Sequence, residues 1–111
     1  MKKRDVRDYL HDILESIDEV EAFTKAMSFD EFIKDRKTKN AVTRSIEIIG
    51  EATNRIIKRD NKFELANAQK IVGTRNRIAH GYDKISDDLI WSIIINHLPK
   101  LKLEVQELLS K

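Results

Sequence analysis

The chain has no cysteine, which excludes a disulfide framework and a thiolate metal site and is compatible with a reducing compartment. It has one proline, three glycines and few aromatics. That leaves little of the turn chemistry and strand patterning an all-β domain of this size would show. No apolar run is long enough to cross a bilayer. The opening MKKRDVRDYLHDILESIDEV is basic at first, but polar or charged groups then recur every few positions, so it lacks the apolar core of a signal peptide. The expectation is a cytoplasmic chain with no membrane segment. A large excess of either charge is also missing, and a net charge of +2 does not by itself argue for nucleic acid.

The distribution of charge says more than its sum. Residues 8 to 31 carry eight acidic side chains against Lys25, whereas residues 34 to 59 carry eight basic ones against Asp35, Glu47 and Glu51. Two readings follow: a basic surface on one side of the molecule, or solvated helix faces that partly neutralise each other. At 111 residues the chain is expected to form one domain spanning 1–111.

Helical periodicity dominates what is present. Val6, Tyr9/Leu10, Ile13/Leu14, Ile17, Val20 and Thr24/Met27 recur at intervals of three and four, the stripe of a long amphipathic helix whose other face is acidic. Ser28-Phe29-Asp30-Glu31 reads as a capping box that starts a short helix ending near Asp35. Arg36 to Asn40 reads as a basic connector with Thr38 as N-cap, followed by a second long helix from Lys39 to about Arg59. Its buried face is Val42, Ser45/Ile46, Ile49, Ala52/Thr53 and Ile56, with Glu47 and Glu51 opposite, facing water or a partner. Gly50 lies inside it and suggests close approach of another backbone, since a mid-helix glycine costs about 1 kcal/mol against alanine.

A third long helix is expected from about Glu64 to His80, after a turn at Asp60-Asn61-Lys62. The last begins at Ser86, with Asp87 and Asp88 complementing the dipole. Ile90, Ile94, His97/Leu98, Leu101, Val105 and Leu108 form its core face, broadened by Trp91 and Ile95. Pro99 removes a hydrogen bond and crowds the Ile95 carbonyl, so a kink is expected near Ile95 to Leu98. The expected fold is all-α, an antiparallel helical bundle of four main helices and one short one.

The most reactive polar groups gather in Arg75-Asn76-Arg77-Ile78-Ala79-His80-Gly81-Tyr82. On a wheel of about 100° per residue, Leu65, Ala68, Ile71, Val72, Ile78 and Ala79 form one apolar arc with Arg75 near its middle. A guanidinium there is either paired or faces a wet cleft. Asn76 and His80 stand four apart, so the amide can orient the imidazole. Gly81 can end the helix in a left-handed conformation. Arg77 points away.

Arg75-x4-His80-x-Tyr82 resembles the signature of the HEPN superfamily, specifically the HepT-like toxins encoded beside minimal nucleotidyltransferase antitoxins. Asp5 to Leu14 is similar to the family's opening helix, Ala41 to Ala52 (AVTRSIEIIGEA) to its second long helix, and Ile85 to Leu98 to its closing one. The approach from Leu65 to Ala68 departs from the proline- and tryptophan-containing version of relatives. The resemblance implies a homodimer whose two motifs line a shared cleft and cleave RNA, such as tRNA or mRNA, without a metal or other cofactor. In it Arg75 holds the phosphate, His80 moves a proton, Asn76 fixes the His80 ring and Glu51 supports the site. It further implies neutralisation by the nucleotidyltransferase, which attaches AMP to Tyr82.

Read from the residues alone, other meanings stay open. Arg75 is then a structural arginine paired with Glu51 or Glu47, His80 a helix C-terminal histidine interacting with the dipole, and Tyr82 a cover for the end of the core. His11 and His97 read as surface or core-edge residues, because neither has a second metal-type ligand at helical spacing. The competing function is a non-catalytic module that binds a nucleotide or a protein partner.

Overall fold

The computed structural model describes residues 4–60, 67, 71–73 and 86–111. Among them the secondary structure is helical, without strands, as the all-α expectation requires. Helix α1 spans Val6–Thr24, α2 Phe29–Lys34, α3 Arg36–Arg59, α4 Asp87–Ser92 and α5 Leu98–Ser110, with a π-helical turn at Ile93–His97 joining the last two. Ile71 to Gly73 are helical as well. No helix of the described residues is long and apolar enough to cross a membrane.

Helices α1 to α4 each start where a polar side chain satisfies backbone donors. Asp5 and Asp8 form a reciprocal capping box at α1, both bonds 3.0 Å long. Ser28 and Glu31 do the same at α2, at 3.1 and 3.0 Å. Ser86 accepts from the Leu89 amide at 3.2 Å and starts α4. The start of α3 corrects the expectation of a connector capped by Thr38. Asp35 is the cap, and α3 follows α2 with only that residue between them. Aspartate outcompetes threonine here because its two oxygens take both the Thr38 amide and the Thr38 hydroxyl, at 3.0 and 2.8 Å.

Ion pairs and ring contacts report the topology. Arg59 at the end of α3 lies over the ring of Tyr9 near the start of α1, so the two helices run antiparallel. Arg7 donates to the Leu109 carbonyl at 3.2 Å, while Lys102 reaches Asp18 at 3.1 Å and Glu21 at 3.0 Å. Helix α5 is therefore antiparallel to α1 too. Glu21, and after it Asp18, raise the Lys102 pKa above its ordinary value. Lys39 pairs with Asp87 at 3.2 Å and brings the starts of α3 and α4 together.

Leu10, Ile13, Ile17 and Val20 of α1, Val42, Ile46, Ile49 and Ile56 of α3, and Leu98, Leu101 and Val105 of α5 form one buried core. Ile71 joins it with no exposed surface. Gly50 is buried as well. Helix α2 seals one side through Phe32, whose ring centroid lies 5.2 Å from that of Trp91. Asn67 is tied to the closing helix, donating to Glu104 at 3.0 Å with its carbonyl 3.4 Å from His97 Nδ1.

Pro99 acts upstream of itself by widening a turn. The Leu98 amide bonds to the Ile93 carbonyl, five residues back, which accommodates a ring with no N–H without breaking the helix. That five-residue turn rotates everything before it by about 100°. Ile93 is consequently fully buried, whereas Ile95, expected to broaden the core face, is 53% exposed.

Candidate functional site

Arg75, Asn76, His80 and Tyr82 lie outside the described residues, as do Leu65 and most of the span expected to form the third long helix. Glu51 lies within them. It stands on α3 with half of its side chain exposed, and its carboxylate is 3.6 Å from the Arg55 guanidinium one turn on. It lines a cavity of about 340 Å³ between the start of α1 and the second half of α3.

The walls follow from helix geometry. Ile48, Glu51, Ala52 and Arg55 are spaced at i, i+3, i+4 and i+7, so α3 presents them on one face, and Tyr9 and Asp12 stand one turn apart on α1. Arg4 completes the lining. The Asp5–Asp8 capping box fixes how the chain enters α1, and that places Arg4 beside the first turns. Its guanidinium pairs with Asp12, donates to the Asp8 carbonyl at 3.3 Å and lies 5.0 Å from the centre of the Tyr9 ring. The Asp12 carboxylate raises the Arg4 pKa, so this guanidinium keeps its charge at any physiological pH.

Tyr9 is thus flanked by two arginines, with Arg59 5.6 Å from the ring centre. Both contacts are within cation–π range. The cavity combines an apolar wall of Tyr9, Ile48 and Ala52 with two guanidiniums and two carboxylates. All four charged groups are substantially exposed: 50% for Arg4, 37% for Asp12, 58% for Arg55 and 48% for Glu51. Ion pairs as wet as these contribute about 0–1 kcal/mol, so a ligand can exchange them for its own contacts. Among the described residues no group of three or more His, Asp or Glu side chains is placed to hold a metal ion. His11 is exposed and His97 half-buried.

The sequence reading singled out Glu51 but not the cluster around it. Arg55 was findable from its spacing to Glu51, and Asp12 from its spacing to Tyr9. The approach of Arg59 to Tyr9 was not, because it depends on α1 pairing antiparallel with α3.

Residues 13–108 match the family model described as ribonuclease HepT-like. The chain belongs to that family. A relative from Methanocaldococcus jannaschii, described as a putative RNase, is 43% identical, over 96% of this chain and 98% of its own length. A second from the same organism and with the same description is 40% identical, over 99% of this chain and 92% of its own. A protein from Thermococcus cleftensis, described as a probable ribonuclease HepT, is 34% identical, over 96% of this chain and 97% of its own. No solved structure matches the chain.

Proposed function

We propose that the chain is a metal-independent RNA endonuclease, the toxin of a toxin–antitoxin pair, with Arg75 and His80 as its catalytic residues. The observation that carries this reading is the family match over residues 13–108, which spans an intact Arg75-x4-His80 motif. The chemistry suits the residue types. The 2'-hydroxyl oxygen bonds to the neighbouring phosphorus as the P–O5' bond breaks, leaving a 2',3'-cyclic phosphate and a 5'-hydroxyl. One proton leaves the attacking hydroxyl and one reaches the departing O5', and an imidazole with a pKa near neutrality is suited to either transfer. A guanidinium grips two phosphate oxygens and stabilises the charge that grows on them. Asn76 orients the imidazole, and Glu51 supports the site from α3.

Arg75 and His80 are five residues apart, about 140° around an ideal helix. One helix does not easily direct both at one phosphate, so the working unit is a symmetric homodimer whose two motifs face across the axis and combine groups from both chains. Neutralisation falls to a nucleotidyltransferase. The Tyr82 oxygen attacks the α-phosphorus of ATP, pyrophosphate departs, the phenol loses its proton, and AMP remains on the ring.

The test is incubation of the purified chain with total tRNA or mRNA in EDTA, beside His80→Ala. Cleavage by the wild type and a loss of about 100-fold or more in the variant are expected. Equal cleavage by His80→Ala, in preparations free of contaminating nuclease, overturns the assignment of His80. Absence of cleavage by the wild type favours the non-catalytic binding module instead.

A further inference from the structure

We infer that the cavity between α1 and α3 is a single-stranded RNA subsite, in which Tyr9 stacks one unpaired base and Arg4 and Arg55 take the adjoining phosphate. This deepens the ribonuclease reading and rests on it for the choice of RNA as ligand. A space of about 340 Å³ matches one nucleotide, at the small end of ligand pockets in general. Its apolar wall is an aromatic ring beside Ile48 and Ala52, its remaining groups guanidiniums and carboxylates.

The ring is already in use as a stacking platform: Arg4 and Arg59 lie 5.0 and 5.6 Å from its centre. An entering base takes the place of Arg4, which lines the cavity, while Arg59 does not line it and stays. The displaced Arg4 guanidinium is then free to meet the phosphate. Arg55 does the same by leaving Glu51, from which it is already 3.6 Å away, beyond a good hydrogen bond.

The Asp12 carboxylate distinguishes a nucleobase from other anionic ligands. It is an acceptor only, and a ligand that draws away the Arg4 guanidinium must supply a donor in its place. Exocyclic amino groups of adenine, cytosine or guanine do so, and an acidic peptide side chain does not. A paired base in a duplex offers neither its face nor its free edge, so the fit is to single strands.

The experiment uses the full wild-type chain with a fluorescein-labelled 2'-O-methyl RNA decamer, which lacks the attacking hydroxyl, read by fluorescence anisotropy. Cleavage of the unmodified decamer is followed in parallel. Tyr9→Leu is expected to weaken binding by about tenfold, the scale of one lost base stack, with Tyr9→Phe restoring what the ring provides. Arg55→Ala is expected to weaken it severalfold and to lower the salt dependence by about one phosphate contact. Because Arg55 is 58% exposed, its variant reports on binding even where a Tyr9 variant disturbs packing. Lys25→Ala, at the far end of α1 and about 24 Å from Tyr9 by helix rise, should bind as the wild type does.

Unchanged affinity in both Tyr9→Leu and Arg55→Ala overturns the subsite and leaves the nuclease assignment standing if the unmodified decamer is still cut. Binding that depends on Tyr9 and Arg55 without any cleavage supports the subsite and removes the nuclease. A wild-type chain that binds no decamer, or binds only its duplex, overturns the subsite.

Discussion

The Asp35 carboxylate accepts two hydrogen bonds from Thr38, one from the backbone amide at 3.0 Å and one from the hydroxyl at 2.8 Å. These donors favour the charged form and hold the Asp35 pKa below its ordinary value, with the amide bond the larger cause. Glu31 is lowered in the same way by the Ser28 amide. A group whose pKa is depressed on folding adds stability above its unfolded pKa, near 4, and loses it as the pH falls through the folded value.

The expected outcome is a thermal midpoint that falls as the pH drops from about 5 toward 3, where these carboxylates take up protons. Asp35→Asn keeps a capping oxygen but no titrating group, so its profile should be flatter. Circular dichroism melts across that range check this, and an unchanged profile in Asp35→Asn would sink the assignment.

Ala26 follows the end of α1 with φ of 61°, in the left-handed region, while the Met27 amide bonds back to the Thr24 carbonyl at 3.0 Å. An alanine there carries a steric cost of about 1–2 kcal/mol that glycine avoids. Ala26→Gly is therefore expected to stabilise the protein by about 1 kcal/mol, and Ala26→Val to destabilise it, a β-branched side chain being worse suited to positive φ. Urea unfolding of the two variants measures both signs. A less stable Ala26→Gly would contradict the backbone reading.

How far the fold can be read from the sequence depends on which interactions are local. The capping boxes at Asp5 and Ser28 and the stripes of α1 and α3 involve neighbours three and four residues apart, and periodicity exposes them. Thr38 was misread for a competitive reason: Asp35 and Thr38 are both good N-caps, and the spacing does not say that aspartate accepts from both donors of the threonine. Ile95 was misplaced because counting in threes and fours fails across a five-residue turn, which Pro99 induces. Glu51 was legible as a polar residue opposite an apolar stripe, and the structure leaves half of its side chain exposed. Arg4 precedes α1 and Arg59 ends α3, and only the pairing of α1 with α3 brings the second arginine to the Tyr9 ring.

Phe32 of α2 has no exposed surface, and its ring centroid lies 5.2 Å from that of Trp91. A six-residue helix is not stable by itself, so its packing decides whether it stays docked. Phe32→Ala is expected to cost about 3–5 kcal/mol in urea unfolding. Trp91 is the chain's one tryptophan, and its emission should shift to the red as its apolar neighbour is lost. A cost under about 1 kcal/mol would mean that α2 contributes little to the core.

The last prediction concerns Tyr82, two residues beyond His80 in the sequence. In the proposed control an attached AMP adds a phosphodiester charge of about −1 and a bulky nucleoside close to the Arg75-x4-His80 motif. The new anion competes with RNA for the Arg75 guanidinium, and the nucleoside blocks the cleft. Tyr9 is the only other tyrosine, and it belongs to the first turns of α1, against the core. Tyr82→Phe removes the acceptor oxygen and keeps the ring. The variant is therefore expected to cleave RNA at close to the wild-type rate when produced alone, and to go on cleaving when produced with the nucleotidyltransferase. Mass spectrometry of the co-produced wild type should show one AMP on the peptide holding Tyr82. An unmodified peptide from a fully neutralised protein would mean that the partner acts by binding alone, and Tyr82→Phe would then be neutralised as readily as the wild type.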